Sequence, residues 1–230
     1  MTTIGRDVRR RHRALTVVAC GILLGVVDLL LQRSLPYPWA NLANSSAVWA
    51  LGAFGVGWWL RGGWWRSALA GMVLLVVAVQ AYYLTAVVVM NDNVQTLWSS
   101  TGMLWSFFGV LAGALFGAAG GLSHDRQPWL RAIAVAMPGA VLFAEAAVFV
   151  NRSDNPGGGP HYRTDSLQTA AIEAILGVVL ILFIAQTHRV RLQALAAAMV
   201  LAAVGFAPGA LRRLALGEGM LLAVVGGLVG

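Results

Sequence analysis

Apolar segments of about 20 residues follow one another along almost the whole chain, separated by short segments that contain most of the arginines. A helix needs about 20 apolar residues to cross the roughly 30 Å hydrocarbon core of a bilayer. In lipid, every backbone N–H and C=O must pair within the protein, which favours helices. The sequence therefore predicts an all-α, polytopic transmembrane helix bundle of six to eight helices, with no soluble domain of useful size.

Two regions are expected, a basic cytoplasmic N-terminus at residues 1–13 and a single transmembrane helical domain at residues 14–230. The last two predicted helices are short and are separated by Pro208 and Gly209, so residues 192–230 form either two crossings or a re-entrant hairpin. The hydropathy pattern places the helices at residues 14–31, 41–60, 67–90, 97–121, 130–150, 167–187, 192–208 and 214–230.

The arginines indicate the orientation of the bundle and its partner. All 16 basic residues are Arg, and they lie mostly between the apolar segments. A cytoplasmic N-terminus puts 11 arginines on the inner side and 5 on the outer side, as the positive-inside rule requires, although Arg212 and Arg213 then oppose the rule. The absence of Lys and the abundance of Ala, Gly and Val indicate a GC-rich bacterial genome. The predicted partner is the lipid bilayer and not nucleic acid.

Several chemistries lack the residues that they require. The four histidines lie in predicted loops or helix flanks, and Cys20 is the single cysteine, so we expect no metal site and no internal disulfide. The chain contains no HExxH, G-x-S-x-G, Walker or CxxC motif. We predict no cofactor, no metal and no phosphate chemistry, and we favour a protein that is not an enzyme.

Four acids interrupt the apolar segments: Asp28, Glu145, Glu173 and Glu218. A charged side chain at bilayer depth costs roughly 2.5 to 3.5 kcal/mol on insertion scales, so each must face protein, water or a partner. Asp28 shares a helix face with Gly21 and Gly25, which are expected to pack against a neighbouring helix.

Most of the unusual polar residues lie in the predicted outer half of the bundle. Hydrogen bonding between helices is one explanation of them. A cavity that opens to the outside explains better why they share one depth. The residues predicted to line this ligand-binding cavity are Asp28, Asn41, Asn44, Gln80, Tyr83, Glu145 and Glu173.

Two further patterns predict packing and membrane contact. Gly109, Gly113, Gly117 and Gly121 recur every fourth residue and form a strip where another backbone can approach closely. The four tryptophans between residues 58 and 65 are typical of an inner interfacial belt.

Three functional classes fit this sequence. The first is an outward-facing component that binds or transports a small amphiphilic or cationic molecule, similar in size to the substrate-capturing subunits of energy-coupling-factor transporters. The second is a membrane-embedded enzyme of the terpene-cyclase type, with a protonated Glu as general acid and aromatic rings such as Trp98, Trp105 and Tyr83 around a cationic intermediate. The third is a structural subunit that binds a partner membrane subunit or another copy of the chain through the glycine strip. We favour the first class.

Residues 38–60, PWANLANSSAVWALGAFGVGWWL, and to a lesser extent residues 138–150, PGAVLFAEAAVFV, carry a family resemblance. They resemble an actinobacterial family of multi-pass integral membrane proteins of unknown function. This resemblance implies a location in the bacterial cytoplasmic membrane and implies nothing about chemistry.

Overall fold

The chain folds into eight α-helices and one short 3₁₀ helix over residues 3–154 and 159–205, the part that the computed structural model describes. No strand occurs in those two ranges, which confirms the predicted all-α class. The 3₁₀ helix, Val94–Trp98, precedes α5. The α-helices are α1 (Thr3–Ser34), α2 (Trp39–Ala43), α3 (Ser46–Leu60), α4 (Trp64–Met90), α5 (Ser100–Leu122), α6 (Pro128–Arg152), α7 (Tyr162–Ile184) and α8 (His188–Gly205).

Five of these helices, α1, α4, α5, α6 and α7, are long and apolar enough to cross a membrane. The helix α3 is apolar but has only 15 residues, which at about 1.5 Å per residue is shorter than the hydrocarbon core. The short helix α2 precedes it directly, so the two together cover residues 39–60. The fold is that of a transmembrane helix bundle.

The prediction of one continuous helix at residues 41–60 is wrong. Asn44 and Ser45 interrupt it, and Ser45 has an extended backbone (φ −80°, ψ 129°) from which its hydroxyl accepts a hydrogen bond from the Ala47 N–H. Ser and Asn favour such N-cap positions because their side chains replace a missing helical hydrogen bond. The break leaves the first N–H groups of α3 in need of acceptors.

Other boundaries differ less. The first helix begins at Thr3, so it includes most of the basic segment that the sequence predicts to precede it. Residues 97–99, predicted to begin the helix α5, belong instead to the 3₁₀ helix and its junction with α5. The last predicted helix, residues 214–230, lies outside the described residues, as do Glu218 and the Pro208–Gly209 break.

The helix α4 lies at the centre of one half of the bundle, where α1, α3 and α5 all pack against it. Glycines of α1 allow this helix to approach α4 closely. A Cβ atom added at Gly21 would lie 2.6 Å from the Leu74 carbonyl oxygen, and one at Gly25 would overlap the carbonyl of Ala78. The prediction that these two glycines pack against a neighbouring helix is confirmed, and that helix is α4.

The glycine strip of α5 also packs inside the bundle. A Cβ atom at Gly113 would lie 2.5 Å from the Gly71 carbonyl oxygen of α4, and one at Gly117 would overlap the Ser67 carbonyl. A Cβ atom added at Gly57 of α3 would overlap the carbonyl of Gly117. The strip therefore holds α3, α4 and α5 together, as the predicted packing role requires.

The helices α6, α7 and α8 form the other half. Their shared core consists of small and branched side chains, including Val135, Ile181, Ala194 and Ala198. This half meets the first through contacts of α6 with α3 and α5, and through contacts of α2 with α7. The two halves thus meet mainly along α6, with a smaller contact between α2 and α7.

Candidate functional site

A cavity of about 440 Å³ lies between α1, α3, α4 and α5. It is close to the end of the bundle at which α1 and α4 finish and α3 and α5 begin. We call this cavity the chamber and this end the chamber end. Its polar and aromatic lining comprises Asp28, Gln32, Asn44, Ser46, Trp49, Tyr82, Tyr83, Trp105 and Phe108.

Asp28 is the acid of the chamber. Asp28 is only 4% exposed, and neither of its carboxyl oxygens has a hydrogen-bond partner among the described residues. Trp49 and Tyr82 are its polar neighbours. No arginine belongs to the chamber lining within the described ranges. A buried carboxyl group without a partner is costly, so Asp28 requires a proton, water or a cation from the cavity.

Aromatic rings line the same cavity as the acid. The ring of Trp49 lies 6.3 Å from that of Tyr82 in an edge-to-face arrangement, and the Tyr82 and Tyr83 rings are 5.7 Å apart. The Tyr82 hydroxyl donates a hydrogen bond of 3.1 Å to the Oε1 atom of Gln32, which ties α4 to α1. The faces of Trp and Tyr rings carry partial negative charge, so such rings supply a wall that is apolar yet attractive to cations.

Glu145 lies outside the chamber and binds the start of α3. Its Oε2 atom accepts hydrogen bonds from the Ser45 hydroxyl and the Ala47 N–H, both at 2.8 Å, and from the Ser46 hydroxyl at 3.3 Å. Its Oε1 atom accepts from the Ser46 N–H at 3.2 Å. A carboxylate at a helix N-terminus satisfies free N–H groups and complements the helix dipole. Glu145 therefore stabilises the break between α2 and α3.

Glu173 is fully buried on α7, with Ser45 and Glu145 as polar neighbours. Its two carboxyl oxygens have no hydrogen-bond partner in the described part of the chain. Nearby on the same helix, the Thr169 hydroxyl accepts a hydrogen bond of 3.1 Å from the Asn41 side-chain amide of α2. These residues form a second polar cluster, between α2, α6 and α7.

The predicted site residues therefore fall into separate groups. Asp28, Asn44 and Tyr83 line the chamber. Asn41, Glu145 and Glu173 belong to the second cluster. Gln80 belongs to neither, because its amide donates to the Ser106 hydroxyl of α5 at 3.1 Å.

The lining predicted from the sequence omitted six polar and aromatic residues of the chamber: Gln32, Ser46, Trp49, Tyr82, Trp105 and Phe108. Trp49 follows Ser46 by three residues and precedes Ala50, so the three share one face of α3. That spacing is the signal from which Trp49 was predictable. Phe108 has the same spacing signal, since it follows Trp105 by three residues and precedes Gly109 on one face of α5.

Metal chemistry has no centre in the described residues, where no group of three or more His, Cys, Asp or Glu side chains is placed to hold an ion. What the chamber offers instead is one carboxyl group, two amides, hydroxyls and aromatic rings. Such a set binds by charge, hydrogen bonds and ring contacts.

No curated protein and no solved structure matches this chain. A family model described as a family of unknown function, DUF6518, matches residues 6–215. The match covers every residue of the chamber and of the second polar cluster. It agrees with the resemblance to a family without an assigned function. The chain therefore belongs to the DUF6518 family of unknown function.

Proposed function

We propose that this integral membrane protein binds a small cationic or amphiphilic molecule in the chamber, as a binding or transport component of the membrane. The observation that carries the proposal is the unpartnered Asp28 carboxyl group in a wall of aromatic rings. A cation is the ligand that satisfies both features.

The aromatic wall favours an organic ammonium group over a hydrated metal ion. The faces of Trp and Tyr rings attract cations within about 6 Å, and such contacts gain strength where water is excluded. A methylated or alkylated ammonium group loses less hydration than a metal ion when it enters such a site. The rings Trp49, Tyr82, Tyr83 and Trp105 supply this surface in the same cavity lining as Asp28.

The charge balance of the chamber also supports a cation. Asp28 is the one acidic residue of its lining among the described residues, and no arginine there neutralises it. A bound ammonium group pairs with the carboxylate and removes the cost of an unpaired buried charge. An anionic ligand meets no positive group in this cavity.

The arginine distribution supports an outward-facing chamber. With the N-terminus in the cytoplasm, the chamber end of α1 faces the outside of the cell, where the sequence contains fewer arginines. The proposed location is the bacterial cytoplasmic membrane. A ligand then reaches the chamber from the outer leaflet or from the external solution.

The geometry favours this function over its two alternatives. A cyclase with a glutamic acid as general acid needs that group beside the aromatic wall, yet Glu145 and Glu173 lie in the second cluster. A scaffold that binds partners through the glycine strip of α5 needs a free strip, yet α3 and α4 cover it.

The test is a calorimetric titration of the chain in nanodiscs with tetramethylammonium. The proposal predicts saturable binding to the unaltered chain and a loss of about tenfold or more in affinity for Asp28→Asn, since removal of one partner of a buried charged contact costs roughly 2 kcal/mol or more.

Asp92→Asn is the matched control, because it removes an acid of the same type from an exposed position after α4. This control is expected to bind as the unaltered chain does. Absence of binding by the unaltered chain, or equal affinities for Asp28→Asn and Asp92→Asn, contradicts the proposal.

A further inference from the structure

A second cavity, of about 680 Å³, lies between α1 and α3. Both helices pack against α4 but make little direct contact with each other, which leaves a slot with Leu74 of α4 in its lining. Its walls are almost entirely apolar and include Leu24 and Val27 of α1 and Gly52 and Val56 of α3. We call this cavity the apolar slot.

The slot is open at the surface of the bundle, where a membrane protein contacts lipid. Residues along both of its edges are exposed, including Leu23 of α1, Trp39 of α2 and Gly55 of α3. Exposed side chains of α1 beside the slot, including Leu23, Val27 and Leu31, are apolar, as expected of a surface that contacts hydrocarbon chains. A molecule dissolved in the bilayer therefore has direct access to the slot.

Asp28 is common to the slot and the chamber. Among the described residues, it is the only one that belongs to both linings. It is also the only acidic residue in the lining of the slot. The two cavities thus border the same buried acid, whose carboxyl oxygens have no hydrogen-bond partner among the described residues. One is aromatic and polar, whereas the other is apolar and open to lipid.

We propose that the ligand is a cationic amphiphile whose ammonium group lies in the chamber at Asp28 and whose hydrocarbon chain lies in the apolar slot, so that it enters sideways from the bilayer. This inference rests on the proposed function and adds the ligand class and its route. Charge complementarity with Asp28 selects this occupant over an anionic lipid.

The slot supplies access more than affinity. A hydrocarbon chain is already in apolar surroundings in the bilayer, so its transfer into the slot gains little hydrophobic free energy. Without the slot, however, an ammonium group at Asp28 requires the attached chain to pass through packed helices. The slot lets the chain stay in apolar surroundings while the head group leaves the interface.

The depth of the slot sets the length of chain that it holds. Cys20 lies eight residues before Asp28 on α1, about 12 Å along the helix. Gly52 of α3 lies beside Leu24, because a Cβ atom added at Gly52 would be 3.2 Å from the Leu24 Cδ2 atom. Gly55 lies about one turn further along α3, away from the chamber end. A decyl chain whose ammonium group lies at Asp28 reaches this depth, whereas tetramethylammonium has no chain to extend beyond the chamber.

Gly55 allows the slot to be filled without damage to helix packing, because an added Cβ atom there meets nothing within 4 Å. Gly55→Leu places a branched side chain in the slot. Gly55→Ala is the matched control, since it makes the same change from glycine in a helix but leaves the slot open. Each variant is titrated in nanodiscs with tetramethylammonium and with decyltrimethylammonium.

The expected result is equal tetramethylammonium affinity in the unaltered chain and both variants, and decyltrimethylammonium affinity at least about tenfold weaker in Gly55→Leu than in Gly55→Ala. Equal decyltrimethylammonium affinities overturn the inference and leave the slot to ordinary lipid chains, while the proposed function stands. If tetramethylammonium fails to bind the unaltered chain, the proposed function fails.

A chemical measurement on the unaltered chain gives the same answer without a substitution. Cys20 is the single cysteine of the chain, is exposed, and lines the slot. We expect decyltrimethylammonium, but not tetramethylammonium, to slow the alkylation of Cys20 by a lipid-soluble maleimide. Equal alkylation rates with the two ligands contradict the proposed position of the hydrocarbon chain.

Discussion

At the scale of single residues, two acids in similar apolar segments have different environments. Glu145 accepts four hydrogen bonds at the start of α3. Asp28 accepts none from the described residues and borders two cavities. The difference follows from the break at Asn44 and Ser45, because a helix N-terminus within the bundle supplies donors for a carboxylate. We therefore expect Glu145 to stabilise the fold, and we propose that Asp28 binds the ligand.

Glu145→Ala is expected to lower the free energy of unfolding by roughly 1 to 3 kcal/mol, because it leaves the Ser46 N–H and the Ser45 hydroxyl without their acceptor. Glu145→Gln retains one acceptor oxygen and is expected to lose less. Unfolding by sodium dodecyl sulfate in mixed micelles measures both.

The control for this pair is Asp154→Ala, which removes an exposed acid at 3.5 Å from Arg163. Such an exposed ion pair contributes about 0 to 1 kcal/mol. A loss in Glu145→Ala no larger than that in Asp154→Ala contradicts the assignment of Glu145 to the start of α3.

At the scale of helices, glycine decides which surfaces meet. The pairs α1–α4 and α4–α5 approach so closely that added Cβ atoms at Gly25, Gly113 and Gly117 overlap the opposite backbone. Without a hydrophobic driving force in lipid, such close contact supplies much of the attraction between helices. The slot exists because α1 and α3 share a neighbour in α4 but lack such a contact with each other.

Gly117→Ala is expected to destabilise the bundle by about 1 to 3 kcal/mol or more, because its Cβ atom meets the Ser67 carbonyl and lies 3.1 Å from the Gly71 Cα atom. Gly55→Ala, with nothing within 4 Å, is expected to be neutral or slightly stabilising. Thermal unfolding in detergent compares them. Equal stability of the two variants contradicts the role assigned to the strip.

At the scale of the whole molecule, the two polar groups of residues lie toward the same end of the bundle, the chamber within one half and the second cluster at the junction of the two halves. The arginine distribution predicts that this end faces outward. Gln95 precedes α5 at the chamber end, and Gln127 follows α5 at the other end; both side chains are exposed.

Single cysteines at these two positions, in a Cys20→Ala background, test the orientation. We expect a membrane-impermeant maleimide to label Gln95→Cys in intact cells and to label Gln127→Cys only after permeabilisation. The reverse pattern indicates a cytoplasmic chamber and removes the outward-facing part of the proposal.

The sequence predicted the helix class, most helix positions and the glycine packing, since these depend on hydropathy and on spacing within one segment. The break between α2 and α3 was missed, because Ser45 forms it together with Glu145, 100 positions further along the chain. For the same reason sequence alone grouped Glu145 and Glu173 with Asp28. The sequence predicts which residues lie at the same depth in the membrane. Which of those residues meet in one site depends on how the helices pack against one another.

The most direct test of the central claim is to locate a bound cation. Tetramethylarsonium has the shape and charge of tetramethylammonium, and its arsenic atom is found by anomalous scattering in crystals of the complex. The account predicts the arsenic atom in the chamber, within roughly 4 to 6 Å of the Asp28 carboxyl group. An arsenic atom beside Glu173, or none within the bundle while the ion binds elsewhere, contradicts it.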